Sequence, residues 1–169
     1  MAEIAESKQA DNNNHKNEKS MQQYLTFLMA QDEYGVDILA VQEIHGWLEP
    51  RPIPNTPDYI KGVIDWRGTI VPIVDLRVRF EYPEVTYNKT TVVIILKTTL
   101  EDIEQDVTVG IVVDAVSDVY DVTVENLRQA PRMGSKVDTR YIKGIAKVDE
   151  AMIVLLELNK LINLEELGG

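Results

Sequence analysis

The strongest constraint on the fold is an internal repeat. Tyr59-Ile60-Lys61-Gly62, followed by Leu76, returns as Tyr141-Ile142-Lys143-Gly144, followed by Leu158, at an unchanged offset. Upstream, Gly35-Val36 leading into Ala40-Val41-Gln42-Glu43-Ile44 is echoed by Gly110-Ile111 leading into Ala115-Val116-Ser117-Asp118-Val119. Between them, Arg51-Pro52-Ile53-Pro54 is echoed by Arg128-Gln129-Ala130-Pro131. Three echoes in one order imply two similar units of roughly 65 to 75 residues, a size at which a lone domain is marginal and gains from a shared interface.

Each unit is written in strand-forming text. Short runs rich in Val, Ile, Thr and Tyr are broken by Gly, Pro, Asn or Asp, which predicts strands near 24–29, 34–38, 60–64, 70–74, 91–96, 107–113, 142–148 and 152–156. Helical spacing is confined to Leu158, Leu161, Ile162 and Leu164, so one short helix is expected over 158–167, stopped by Gly168. Residues 1–20 have almost nothing to bury and read as a disordered tail. The expected class is all-β: a domain over 21–167 made of one small barrel over about 23–86 and a second over about 87–157, packed together with a groove between them. An exchange of a terminal strand between the two is compatible with that division.

Local features suit tightly curved sheets. Gly35, Gly62, Gly110 and Gly144 stand where sharp corners or close backbone approaches are needed. Asp65-Trp66-Arg67-Gly68-Thr69 separates two apolar runs and reads as a hairpin, with Val148-Asp149-Glu150 as its counterpart. Pro72 cannot donate to a ladder, which implies an edge position or a bulge.

Composition narrows the partners. The net charge of −11 would repel phosphate backbones and anionic lipid at long range, so neither nucleic acid nor a membrane surface is expected. There is no cysteine, no apolar signal-like N-terminus and no run long enough to span a bilayer, so a soluble cytoplasmic protein is expected. Neither histidine, His15 or His45, has metal-ligand spacing to another, and no nucleophile elbow or phosphate loop is present. No catalytic residue, metal or cofactor is assigned.

Features suited to protein docking are better represented. Pro50, Pro52, Pro54 and Pro57 stiffen one connection. Trp66 and Arg67 at a hairpin tip are residue types enriched at interface hot spots, although Trp66 as core and Arg67 in an internal ion pair holding the two barrels together are also open. Glu43 is the nominated partner of Arg67. In the second unit the acid persists as Asp118, but Asp149 replaces the arginine, so the pair can form only once.

Tyr34-Gly35-Val36-Asp37-Ile38-Leu39-Ala40-Val41-Gln42-Glu43-Ile44 resembles the opening motif of CheW proteins. The likeness continues through Asn55-Thr56-Pro57, Tyr59-Ile60-Lys61-Gly62 and Arg67-Gly68-Thr69-Ile70-Val71-Pro72-Ile73-Val74-Asp75-Leu76-Arg77, and resumes at Thr91–Ile94 and Gly110–Val119. It implies two five-stranded SH3-like β-barrels. It also implies a non-catalytic adaptor, at receptor arrays beneath the inner membrane, between the cytoplasmic tip of methyl-accepting chemotaxis receptors and the regulatory domain of the histidine kinase CheA. By carry-over, Val41, Glu43, Ile44, Gly62, Arg67, Val92 and Gly144 fall at receptor-coupling positions, Glu43 and Arg67 at an ion pair bridging the barrels, and Gly110 at a kinase-binding position. Asp65-Trp66 departs from the family's usual asparagine and apolar residue, and the connection Lys97–Asp106 is longer and more acidic than in many relatives. The rival readings are an adaptor of another chemosensory pathway, such as twitching motility, and a small β-barrel enzyme or ligand carrier.

Overall fold

The computed structural model describes residues 21–100, 103–129 and 139–162. The expected tail 1–20, the echo at Ala130-Pro131 and the last part of the C-terminal helix lie outside them. The strands are β1 Gln22–Met29, β2 Asp32–Asp37, β3 Val41–Gly46, β4 Ile60–Trp66, β5 Thr69–Asp75, β6 Val92–Leu100, β7 Gln105–Val113, β8 Ala115–Val122, β9 Leu127–Arg128, β10 Ile142–Val148 and β11 Ala151–Leu156. Single helical turns, Leu76–Arg79 and Leu158–Leu161, follow β5 and β11. The connection Lys97–Asp106 is mostly ladder, because the β6–β7 pairing runs out to Leu100 opposite Gln105.

The strands form a six-stranded sheet in the order β8-β1-β2-β11-β10-β9 and a five-stranded sheet in the order β3-β6-β7-β5-β4. The two sheets are curled like half-barrels. They do not follow one another along the chain, as the expected boundary near residue 86 required. Hairpin β1–β2 joins strands from the C-terminal half, and hairpin β6–β7 joins strands from the N-terminal half. More than a terminal strand is therefore exchanged: each sheet is completed by a whole hairpin from the other repeat. The sixth strand is the two-residue β9, whose counterpart in the five-stranded sheet is the isolated bridge Arg51–Val63.

The repeat is visible in register. Parallel pairing sets Ile73 opposite Gly110 and Leu155 opposite Gly35, which are matching pairs of the two units. Both units place a bulge in the same spot, between Ile60 and Gly62 and between Ile142 and Gly144. Both also close the same backbone hydrogen bond, Asp75 N to Tyr59 O at 2.7 Å and Glu157 N to Tyr141 O at 2.8 Å. The repeated tyrosines meet at one cation: the Arg79 guanidinium lies 4.3 Å from the Tyr59 ring centroid and 5.2 Å from that of Tyr141.

Burial explains why β6 and β7 read as continuous apolar runs rather than alternating ones. Val93 and Ile95 face the interior of their own sheet, with Val71, Ile73 and Val112. Ile94 and Leu96 face the other way, into a core shared with Leu25, Phe27, Met29, Tyr34 and Val36 of the six-stranded sheet. Gly110 faces the interior of its own sheet; an added Cβ would come within 2.6 Å of Ile73 Cδ1 and 2.9 Å of Val93 Cγ1. Pro72 is internal to the sheet order, but β5 pairs with β7 only from Ile73 onward, so the first half of β5 is an edge on that side.

Two polar links cross between the sheets. Arg77, 1% exposed, donates through Nε and NH2 to the two oxygens of Asp75, both at 3.0 Å, and through NH1 to Asp114 Oδ1 at 2.9 Å and Thr86 O at 2.6 Å. Asp114 sits where the chain passes from one sheet to the other, and its second oxygen accepts the Ala30 backbone N–H in the β1–β2 turn at 2.6 Å. Burial alone would favour a neutral guanidinium, but the hydrogen bonds and charges of Asp75 and Asp114 outweigh it and the Arg77 pKa rises. Tyr87 donates to Asp75 at 2.8 Å; burial first, then that bond, pushes its hydroxyl up to about 12. In the second link Tyr82 is hydrogen bonded to Tyr34 and donates to Asp32 Oδ2 at 2.7 Å. Arg77→Met should leave the fully buried Asp75 carboxylate without its counter-charge and cost about 3–5 kcal/mol. A urea titration showing a loss below about 1 kcal/mol would mean that the network is not structural.

Candidate functional site

The hairpin β4–β5 turns at Arg67 and Gly68, whose φ values of 51° and 81° suit the tight two-residue turn expected there. Asp65, the family departure, accepts the Gly68 N–H at 2.9 Å and so holds the turn. Trp66 just before it packs with Trp47 and Ile64 against the interior of the five-stranded sheet. Its indole N–H donates to Glu43 Oε2, reaching from the end of β4 to β3, the strand at the opposite edge. His45 Nε2 lies 2.8 Å from the same oxygen, and Arg67 NH2 lies 3.5 Å from Oε1. The Arg67 guanidinium is 5.1 Å from the Trp66 ring centroid, within cation–π range. Four side chains thus close the gap between the two edge strands. The bond from Trp66 first, then His45 and the Arg67 charge, hold the Glu43 carboxyl below the usual glutamate range despite some desolvation.

The expected ion pair therefore forms, but β3 and β4 belong to one sheet, so Glu43 and Arg67 close a single half-barrel instead of bridging two. The bridging role falls to Arg77 and Asp114. Both stand in the sequence, Arg77 at the end of the quoted Pro72–Arg77 run. No periodicity marks either, because the contact depends on a hairpin contributed by the other repeat.

The other candidates separate by exposure. On β3, alternation turns Ile44 outward at 42% exposed and Val41 inward against the shared core, where Val92 also packs. Gly62 is buried at a φ of 135°, and a Cβ there would lie 2.1 Å from Arg51 O. Gly144 stands on β10 of the other sheet. Its neighbour Lys143 lines a cleft of about 290 Å³ at the seam between the sheets, with Tyr24, Asp37 and Glu157. Gly110 is itself buried, with Ile73 and Val93 standing where a side chain would go.

Exposed apolar residues follow the repeat as well. Ile44 and Ile70, 42% and 63% exposed on the five-stranded sheet, match Val119 and Met152, 45% and 64% exposed on the six-stranded sheet. Their surroundings differ in charge. Where the first has Glu43, His45, Trp66 and Arg67, the second has Asp118, Tyr120, Val148 and Asp149. Glu33, then burial, then Asp118 and Asp149 raise the Tyr120 hydroxyl above its ordinary pKa, as expected beside several carboxylates. Among the described residues, no group of three or more His, Cys, Asp or Glu side chains is placed to hold a metal ion, and no helix is long and apolar enough to cross a membrane.

The model of the CheW-like domain matches residues 23–166, nearly all of the two-sheet body and the turn after it. The chain belongs to the CheW-like domain family. It is 47% identical over 147 residues to the chemotaxis protein CheW of Klebsiella aerogenes, covering 87% of this chain and 85% of that protein. It is 29% identical to the chemotaxis protein CheW of Bacillus subtilis, covering 87% and 90%. The crystal structure of the scaffolding protein TtCheW from Thermoanaerobacter tengcongensis superposes with a TM-score of 0.75 at 31% identity, over 86% of this chain and 94% of that one.

Within this CheW-like body the two repeated glycines are not equivalent. Gly62 needs its positive φ and the space beside Arg51 O, whereas a Cβ on Gly144 would meet Arg128 O at 3.5 Å, an ordinary contact. Gly62→Ala should lower stability by roughly 2–4 kcal/mol and Gly144→Ala by less than about 1 kcal/mol. Urea midpoints at unchanged slope check this, and equal losses would contradict it.

Proposed function

We propose that this chain is a non-catalytic adaptor that couples methyl-accepting chemotaxis receptors to the histidine kinase CheA, working in the cytoplasm at receptor arrays beneath the inner membrane. The observation that carries the reading is the cluster of Glu43, His45, Trp66 and Arg67 at one end of the five-stranded sheet. It leaves Arg67 an exposed cation on a sheet that also carries the exposed Ile44 and Ile70, in a chain of the CheW-like domain family. The receptor's cytoplasmic tip is helical, and an apolar stripe with an acidic side chain on it would dock against Ile44 or Ile70 while pairing with Arg67. Val41, Val92, Gly62 and Gly144 then act on receptor coupling by shaping the sheets that carry this surface.

The kinase needs a separate surface if both partners are held at once. The matching exposed pair, Val119 and Met152 on the six-stranded sheet, supports placing it there. Two weak contacts joined on one rigid body raise the effective concentration of each partner, which is sufficient to couple them without chemistry in this chain.

Arg67→Ala should sharply reduce receptor control of CheA in a reconstituted assay while changing kinase binding less than about threefold. Met152→Glu should show the opposite split. Receptor control that is unchanged by Arg67→Ala would contradict the reading.

A further inference from the structure

We infer that Trp66 is a positioning residue: its indole N–H holds the Glu43 carboxylate, so that Arg67, stacked on the same ring, remains available to a carboxylate on the receptor. The inference rests on the reading of Arg67 as the receptor-facing cation.

The geometry divides the two oxygens of Glu43 unequally. Oε2 takes the Trp66 N–H and lies 2.8 Å from His45 Nε2, so its hydrogen-bonding capacity is largely met by neutral or ring partners. Arg67 approaches only Oε1, at 3.5 Å, and its side chain is 71% exposed. A committed arginine–carboxylate pair is shorter and commonly uses two parallel N–H donors, as Arg77 does with Asp75. Arg67 is therefore close enough to Glu43 to be oriented, but most of its five donors face solvent. The Trp66 ring fixes the guanidinium from one side, and the turn capped by Asp65 fixes the backbone below it.

The second repeat acts as an internal comparison. Val148 stands in the place of Trp66 and Asp149 in that of Arg67, and the acid Asp118 accepts from the Val119 backbone N–H at 2.8 Å. With neither indole donor nor cation, that end has no equivalent device. The specificity it confers is for a carboxylate, and it belongs to one end of the molecule only.

Binding of a soluble receptor-tip fragment to the full chain tests the inference. Trp66→Phe keeps the ring but removes the donor; Glu43 should then draw in Arg67, and receptor affinity should fall about tenfold. Adding Glu43→Gln to Trp66→Phe should restore most of that loss, because the competing carboxylate is gone, an outcome that a merely structural role for Trp66 would not produce. In an Arg67→Ala background, Trp66→Phe should have no further effect. Unchanged affinity in Trp66→Phe, or no recovery in the double variant, overturns the inference. If the parent chain binds no receptor fragment, the functional reading fails by itself. The Arg67 Nε–H signal in NMR then decides the remaining question. Slower solvent exchange of that proton in Trp66→Phe supports the positioning role, and unchanged exchange overturns it.

Discussion

Arg77 has almost no contact with water, and its charge has to be met inside the protein. Asp75 lies two residues away and its two oxygens face the guanidinium, but that pair alone would leave NH1 unsatisfied. Asp114 and the Thr86 carbonyl complete it, and Asp114 can do so only where the chain leaves β7 for β8 while its other oxygen holds the β1–β2 turn. The network therefore specifies which hairpin sits in which sheet. Exchanging the hairpins differently would strand a buried carboxylate or a buried guanidinium, each costing several kcal/mol. Glu157 and Asn159 occupy the places of Asp75 and Arg77 in the second repeat, so the lock exists once.

The weave also explains how two small sheets, each marginal alone, make a stiff body. Strands β6 and β7 are buried on both faces because one face fills their own half-barrel and the other fills the seam. The ends that face away from the seam are left to differ. One carries the Glu43 cluster and an exposed arginine; the other keeps the apolar pair but surrounds it with carboxylates. Duplication supplied two similar ends, and a few side chains at the hairpin tips gave them distinct chemistry.

Much of this was legible in the residues. The repeat of Tyr-Ile-Lys-Gly marked the β4 and β10 bulges, and eight strands fell where β-branched runs predicted them. β3 and β8 were legible as motifs but not as strands, because in each edge strand the apolar residues do not alternate and one of them, Ile44 or Val119, is exposed. The exchanged hairpins could not be read from either repeat, since the pairing of β5 with β7 and of β11 with β2 is non-local and parallel. The Glu43–Arg67 contact was legible from charge complementarity, yet its location within one sheet followed only from the strand order. Gly110, read from sequence as a glycine at a corner or close approach, has Ile73 and Val93 packed where its side chain would stand.

The two sheets form one interlocked structural unit. Native-state hydrogen exchange tests it most directly, using amides at the centres of β1, β2, β6, β7, β10 and β11. The interlocked arrangement predicts that all of these open with the same free energy, within about 1 kcal/mol of global unfolding. An N-terminal hairpin, or a whole sheet, that opens several kcal/mol more easily than the rest would contradict it.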